Sequence, residues 1–244
     1  MRKLCAFLNL VVTTLFLSIV ALIVSVCDRD GNAVHSIARL WARIHLRISG
    51  IHVVMEGVKR IHHPPYIFMC NHQSALDIFS LLSCLPLPFK WIAKRELFFI
   101  PFFGWAIKRA GYISLDRKNP REAIKAMDEA ARRIREGLNI IIFPEGTRSK
   151  DGRLLPFKKG GFSLALRSGV PIVPVGIQGT NRLQPKGSFV PKEKGIVYIR
   201  IGTPIDSGGK SRSAIGAIME ETRRQIEFLK GTSNRSENAL EYTP

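Results

Sequence analysis

Tyr66-Ile67-Phe68-Met69-Cys70-Asn71-His72-Gln73-Ser74-Ala75-Leu76-Asp77 is an apolar run that breaks into a polar turn and passes directly into a helix-start signal. Tyr66–Cys70 has the aromatic and apolar content of a buried strand. Ser74 is a helix-capping residue type, and Asp77 three positions later completes a Ser-x-x-Asp capping pattern. The segment therefore predicts a strand, a tight turn and the first turn of a helix.

Outward from there the same alternation repeats. Apolar, β-branched or aromatic runs stand at Lys90–Ala93, Tyr112–Leu115, Asn139–Phe143, Ile172–Ile177 and Ile196–Ile201. Helical stretches lie between them. The clearest has Asn119 as cap, Pro120 at the first helical position and Gly137 as stop, with Ile124, Met127, Ala131 and Ile134 forming one stripe. Ser211–Lys230 reads as a closing helix. This pattern predicts an α/β fold, with a mixed, mostly parallel sheet covered by helices. Residues 50–230 are expected to form one domain and 231–244 a flexible polar tail.

The first 49 residues are of a different kind. Leu4–Val26 carries no charge, and as a helix it would be about 34 Å long, enough to cross a hydrocarbon core. Ser25-Val26-Cys27 offers neither a small-residue cleavage pair nor a lipoprotein site, so the segment is expected to stay in the protein. Basic residues flank both sides, which fits a segment dipping into one leaflet as well as a full span. Beyond it, Val34, Ile37, Trp41, Ile44 and Ile48 recur at helical spacing, while His35, Arg39, Arg43 and Arg47 occupy another face. Such a cationic helix suits either a bilayer interface or docking on the domain. Residues 1–49 are thus expected to be membrane-anchoring or interfacial helices.

Charge points the same way. Lys and Arg number 37 against 19 Asp and Glu, a formal net charge of +18. A surplus that large favours anionic membranes, phosphorylated ligands or nucleic acid. Cys5, Cys27, Cys70 and Cys84 have neither metal-ligand spacing nor a dense disulfide pattern, which suits a reducing, cytoplasm-facing compartment. A membrane-anchored nucleic-acid binder is the rival class. The arginines, however, gather at strand ends beside His72 instead of forming one aromatic-interleaved patch.

The reactive residue types also collect at strand ends. His72 and Asp77 would lie about 140° apart on a regular helix and could not face each other there. With His72 in the turn and Asp77 at the third helical position, the carboxylate can fix the imidazole tautomer, and the other ring nitrogen can take a proton from an alcohol. The helix's positive end would favour that carboxylate. Phe143-Pro144-Glu145-Gly146-Thr147-Arg148-Ser149 follows another apolar run. Gly146 permits a tight turn, and Thr147 and Arg148 offer a hydroxyl and a guanidinium fork for phosphate. Glu145 could hold Arg148 or accept from a substrate hydroxyl. In Gly111-Tyr112-Ile113-Ser114-Leu115-Asp116-Arg117, Asp116 is expected to orient Arg117. Val170-Pro171-Ile172-Val173-Pro174-Val175 carries no reactive group and reads as structure, with lining of an acyl groove as a further role. No Gly-x-Ser-x-Gly elbow is present in the sequence.

Together these segments resemble the four blocks of the glycerophospholipid acyltransferase family, most closely its bacterial-type 1-acyl-glycerol-3-phosphate acyltransferases. The resemblance spans about Tyr66 to Val175, and Lys94-Arg95-Glu96-Leu97 with Ile100-Pro101-Phe102-Phe103-Gly104 adds to it. Ser114 is a modest departure from the second block. The resemblance implies transfer of a fatty acyl group from a thioester to the sn-2 hydroxyl of 1-acyl-sn-glycerol 3-phosphate, or to another acceptor such as a different lysophospholipid, glycerol 3-phosphate or an ornithine-type lipid. It implies His72 as general base and Asp77 as its orienting partner. Arg117, Glu145, Gly146, Thr147 and Arg148 would hold the glycerol phosphate. No metal and no cofactor are implied; acyl-CoA or acyl carrier protein would be the donor substrate. Expected partners are lysophosphatidate, the acyl thioester, anionic membrane lipids and acyl carrier protein, with no nucleic acid. The expected location is a cytoplasmic or inner membrane, the catalytic domain facing the cytoplasm.

Overall fold

The computed structural model describes residues 2–231 and 240–242. Helix α1 (Arg2–Val24) and helix α2 (Asn32–Ser49) come first. Strands β1 (Ile51–Glu56) and β2 (Ile67–Cys70), helix α3 (Leu76–Cys84) and strand β3 (Phe89–Lys94) follow. Then come α4 (Phe103–Arg109), β4 (Ile113–Leu115), α5 (Pro120–Arg135), β5 (Asn139–Ile142), α6 (Lys159–Ser168) and β6 (Ile172–Gln178). The chain continues through α7 (Thr180–Leu183), β7 (Gly195–Ile201), α8 (Ile215–Gly231) and β8 (Leu240–Tyr242).

All eight strands join one sheet in the order β4-β3-β5-β2-β6-β7-β1-β8. The β4-β3-β5-β2-β6 stretch is parallel throughout, β7 runs antiparallel to β6, and β1 lies parallel to β7. The expected mixed, mostly parallel sheet is therefore present. Strand β1 carries a weak sequence signal, because its six residues sit between Gly50 and Gly57 and include His52 and Glu56. Leu240–Tyr242 pairs antiparallel with β1, so a loose tail does not describe those three residues. The rest of the expected tail, 232–239 and 243–244, lies outside the described residues.

Alternation along the strands sorts side chains onto two faces. Phe68, Cys70, Ile141, Val173 and Val175 point to the α2/α3 side. Ile67, Met69, Ile140 and Ile172 point to the side covered by α5, α6 and α8. Complete burial of a side chain such as Phe68 contributes about 1.5–3 kcal/mol. The chain leaves β2 toward one face through α3, and leaves β5, the neighbouring strand, toward the other face through α6. Adjacent parallel strands whose connections part in this way leave a crevice beyond their carboxyl ends. The β2/β5 boundary is that point.

Helix α5 forms as its sequence predicts: the Asn119 side chain accepts from the N–H groups of Arg121 (3.1 Å) and Glu122 (3.3 Å). Its stripe is rotated from the expectation. Ile124 is exposed, while Ala130, Ala131 and Ile134 face the core.

Helix α1 is long and apolar enough to cross or anchor in a membrane, and only 17% of its most apolar stretch is buried against the protein. Ala6, Leu17 and Ala21 face inward, whereas Leu4, Val12, Phe16 and Ile23 are open. Trp41 pins it: the indole N–H donates to Thr14 Oγ1 (3.0 Å), and the ring lies 4.6 Å from that of Phe79 on α3. Helix α2 thus lies between α1 and the domain. Val34, His35, Ala42, His45 and Leu46 form its buried face, so His35 does not share the exposed polar face that spacing suggests. The α1–α2 connection is clamped by the buried Lys90, whose ammonium donates to the carbonyls of Gly31 (2.9 Å) and Asp30 (3.3 Å). Gly31 is needed there, because at φ 67° a Cβ would lie 2.6 Å from the Arg109 carbonyl oxygen.

Burial holds two histidines of α2 neutral, with pKa values lowered from 6.5 to about 3 (His35) and about 4 (His45). His45 is fully buried and neither ring nitrogen has a partner among the described residues. Below the ordinary histidine value the unfolded chain binds protons that the folded chain refuses, so stability is complete above pH 6.5 and falls as pH drops toward 4. Each unit corresponds to about 1.4 kcal/mol. His45→Leu, of similar volume, should keep the melting temperature at pH 7 and flatten its decline between pH 6.5 and 4. Thermal melts across that range, in detergent, measure both.

Candidate active site

The polar residues of interest lie beyond the carboxyl ends of β2, β4 and β5, on the crevice side of the sheet. His72 occupies the turn between β2 and α3. Ala75 already has helical dihedrals (φ −66°, ψ −27°), which makes Ser74 the effective cap. Its Oγ accepts from Leu76 N–H (3.1 Å), and Asp77 Oδ2 accepts in return from the N–H of Ser74 (2.8 Å) and of Gln73 (2.7 Å). The capping box read from the sequence is formed.

That box also aims Asp77 at the histidine. Asp77 is fully buried, and the same Oδ2 lies 2.8 Å from His72 Nδ1. A carboxylate accepts only, so Nδ1 carries the proton and the lone pair falls on Nε2. The imidazole stacks on Phe143 at 3.8 Å with an 11° tilt, and Phe143 stacks on Trp91 at 5.5 Å. Ring, carboxylate and aromatic stack together leave the imidazole one orientation. The His72 side chain keeps 14% of its surface open.

The second motif clasps the first through the backbone. Glu145 Oε1 accepts from His72 N–H (2.7 Å), and Ser149 N–H donates to the His72 carbonyl (2.8 Å). Glu145 Oε2 accepts from Leu155 N–H (2.9 Å). Both carboxylate oxygens are therefore occupied by backbone, and no bond to Arg148 forms. Of the two roles open to Glu145, holding Arg148 is corrected: the buried carboxylate satisfies stranded N–H groups of two loops instead. Burial pushes the Glu145 carboxyl above its ordinary value, against the pull of the Leu155 and His72 N–H groups.

Gly146 turns at φ 71°, which favours glycine, and its carbonyl accepts from Arg117 Nη1. Arg117 is thus brought to the second motif, but not by Asp116. That carboxylate accepts from Arg95 (2.5 Å) and from Lys118 N–H (2.9 Å), which corrects the expectation that it orients Arg117. Thr147 is exposed and Arg148 half-buried, and the Arg148 guanidinium makes no bond to any described residue. The fourth motif is sheet core: Val173 and Val175 are buried in β6, which pairs with β2, and they line no open groove. Among the described residues no group of three His, Cys, Asp or Glu could hold a metal ion. All four cysteines are free.

Some contributors escaped sequence reading. Asn71 uses its side chain as a surrogate strand, donating to the Ile177 carbonyl (2.9 Å) and accepting from its N–H (2.7 Å). Trp91 backs the aromatic stack. Lys186 reaches Thr147 and Arg148 from a distant loop. Asn71 sits inside the motif and could have been suspected, whereas nothing local marks Trp91 or Lys186.

Fold and site together define an α/β protein with a hydrogen-bonded histidine–carboxylate pair beside a cationic turn, and with an exposed apolar helix at its N-terminal side. The model of the Acyltransferase family matches residues 52–178. A chloroplastic 1-acyl-sn-glycerol-3-phosphate acyltransferase of Brassica napus is 38% identical over 194 residues, covering 79% of this chain and 54% of that protein. The alpha form of Mus musculus is 34% identical over 218 residues, 87% of this chain and 75% of its own. The crystal structure of the 1-acyl-sn-glycerophosphate acyltransferase from Thermotoga maritima superposes with a TM-score of 0.77 at 32% identity, covering 96% of this chain and 100% of that one. The chain belongs to the acyltransferase family. It spans about half the length of the plant proteins that it matches.

Removing the Glu145 carboxylate strands two N–H groups in a buried position, at roughly 1–3 kcal/mol each. Glu145→Ala should therefore lower the melting temperature and broaden the His72 ring environment together. Calorimetry and the His72 imidazole NMR signal read the two effects; a stable variant with an unaltered signal would contradict the bracing role.

Proposed function

We propose that this chain transfers an acyl group from a thioester to the sn-2 hydroxyl of 1-acyl-sn-glycerol 3-phosphate, giving phosphatidic acid. One observation carries the reading: His72 Nδ1 is bound to Asp77 at 2.8 Å, which leaves Nε2 as the basic nitrogen, and the His72 main chain is bonded to Glu145 and Ser149 on either side of Thr147 and Arg148. The names of the relatives and of the Thermotoga maritima structure support the same acceptor.

In this mechanism His72 Nε2 takes the proton of the acceptor hydroxyl as its oxygen attacks the thioester carbonyl. Asp77 holds the tautomer and stabilises the imidazolium that forms. The tetrahedral intermediate expels the thiolate, which takes the proton back from Nε2, so ester and free thiol are the products. Base catalysis of this type supplies about 10²–10⁴-fold. Arg117, Thr147 and Arg148 bind the phosphate, and Glu145 and Gly146 act through the backbone they hold. The chemistry calls for no metal or other cofactor. The thioester is that of coenzyme A or of acyl carrier protein.

Residues 50–230 serve as the acyltransferase domain, and residues 1–49 attach it to a cytoplasmic or inner membrane with the site on the cytoplasmic side. The uncovered apolar surface of α1 supports the attachment. A substrate and product that reside in the bilayer require it, and basic residues near anionic lipid add about 1 kcal/mol each.

The test is thiol release from palmitoyl-CoA, or from palmitoyl acyl carrier protein, by detergent-purified full-length chain. Release should require lysophosphatidate and fall by about 10²–10⁴-fold in His72→Ala. Arg148→Ala should raise the acceptor KM more than it lowers kcat. Silence with both donors and several lysolipids would refute the acyl-transfer reading, and an unimpaired His72→Ala would remove His72 as the base.

A further inference from the structure

Several surface cations of the domain have carboxylate partners, among them Arg95 with Asp116, Arg132 with Glu129 and Glu136, and Arg182 with Glu193. At the Gly146–Arg148 turn cations from separate segments gather instead around one another. Arg117 donates to the Gly146 carbonyl, and the Lys158 Nζ lies 3.2 Å from where a Gly146 Cβ would stand. Lys186 Nζ donates to the Arg148 carbonyl (2.7 Å) and to Thr147 Oγ1 (3.3 Å). With Arg148 itself, four cations surround three residues, and none has a carboxylate partner among the described residues. Such a gathering of solvent-facing cations makes a local positive field that suits an anion carrying more than a single negative charge.

Lys186 stands out because of how it is delivered. Its loop starts at the buried Gln184, whose carbonyl accepts from Ser74 Oγ (2.6 Å), the cap of the helix that holds Asp77. Lys192 N–H closes the loop on the Leu183 carbonyl (2.8 Å), and Ser188 N–H turns it on Pro185 (3.0 Å). Near its tip Phe189 is 75% exposed and meets Phe7 of α1 edge-on, with ring centroids 6.1 Å apart. One short arm therefore touches the acid–base turn, the cationic turn and the apolar helix. An ammonium has three N–H donors, and two are used here, which leaves one for a ligand.

We propose that Lys186 is an acceptor-binding residue that recognises a phosphomonoester head group together with Arg148, while the Phe189 end of its arm lies with α1 among the acyl chains. This rests on the acyl-transfer reading above and extends it to acceptor selection. A phosphomonoester brings close to two negative charges and three unsubstituted oxygens; a phosphodiester brings one charge and two such oxygens. The surplus of cations selects the former.

The experiment compares full-length wild type, Lys186→Met and Lys186→Arg in detergent micelles, with 1-acyl-glycerol 3-phosphate and with a lysophosphatidylglycerol as acceptors. Lys186→Met should raise KM for the phosphomonoester about ten- to a hundred-fold, as expected for loss of a charge-assisted bond. KM for the donor should stay within about two-fold, preference over the diester should shrink by a similar factor, and inorganic phosphate should inhibit less. Lys186→Arg should restore most of the affinity. Melting curves of the three proteins establish that the variants are folded. An unchanged acceptor KM in a folded Lys186→Met would overturn the assignment while leaving acyl transfer intact. So would equal losses toward both acceptors, which mark a merely structural role. A wild type inactive on every acceptor would instead overturn the acyl-transfer reading, and this inference with it.

Discussion

The main chain of His72 is held from both sides, by the Glu145 carboxylate on its N–H and by Ser149 N–H on its carbonyl. Most of the site depends on that clasp. His72 lies in a turn, where backbone groups have no ladder partners and side chains wander. Bonding its peptide groups to the turn after β5 makes two loops one rigid body. The tautomer, the ring stack on Phe143 and the position of Arg148 then follow from a single arrangement. Asp77 does a parallel service with one oxygen, satisfying the cap of α3 and orienting the imidazole at once.

The clasp is possible because of the sheet. Strands β2 and β5 are parallel neighbours, so both turns emerge at the same edge and at the same height. Their helices leave on opposite faces, which keeps the ground between the turns clear. Asn71 extends the order one residue further by pairing with Ile177 where β2 has already ended. The cationic side of the site is assembled from four separate segments around Gly146–Arg148: Arg117 and Arg148 come from two of the sequence blocks, Lys158 and Lys186 from outside them.

The N-terminal hairpin is fastened to this core more firmly than an anchor alone requires. Lys90 clamps its connection, Asp28 caps α2 through Val34 N–H (2.8 Å), and Trp41 bridges α1 to α3. Burial lowers the Lys90 pKa to about 8 even so, because carbonyl oxygens replace hydration only in part. The consequence is geometric. The exposed face of α1 and the crevice beyond β2 and β5 are parts of one body, so whatever α1 rests on is held at a fixed height relative to the site.

Local pattern determined a good deal. The capping box at Ser74–Asp77, the Asn119 cap and the turn at Gly146 are short-range events, decided by residues a few positions apart, and each was legible in the sequence. The α/β class followed from the spacing of apolar runs. What the sequence did not contain was partnership over distance. Asp116 adjoins Arg117 in the chain yet bonds Arg95, and Glu145, three residues from Arg148, bonds His72 instead. Ile124 lies outside a stripe that periodicity put it in, and His35 is buried on a face that spacing made polar. Trp91 and Lys186 join the site with no local mark at all. A charged side chain has several partners within reach, and desolvation of the backbone groups it could serve decides among them; that cost exists only once the loops have been packed together.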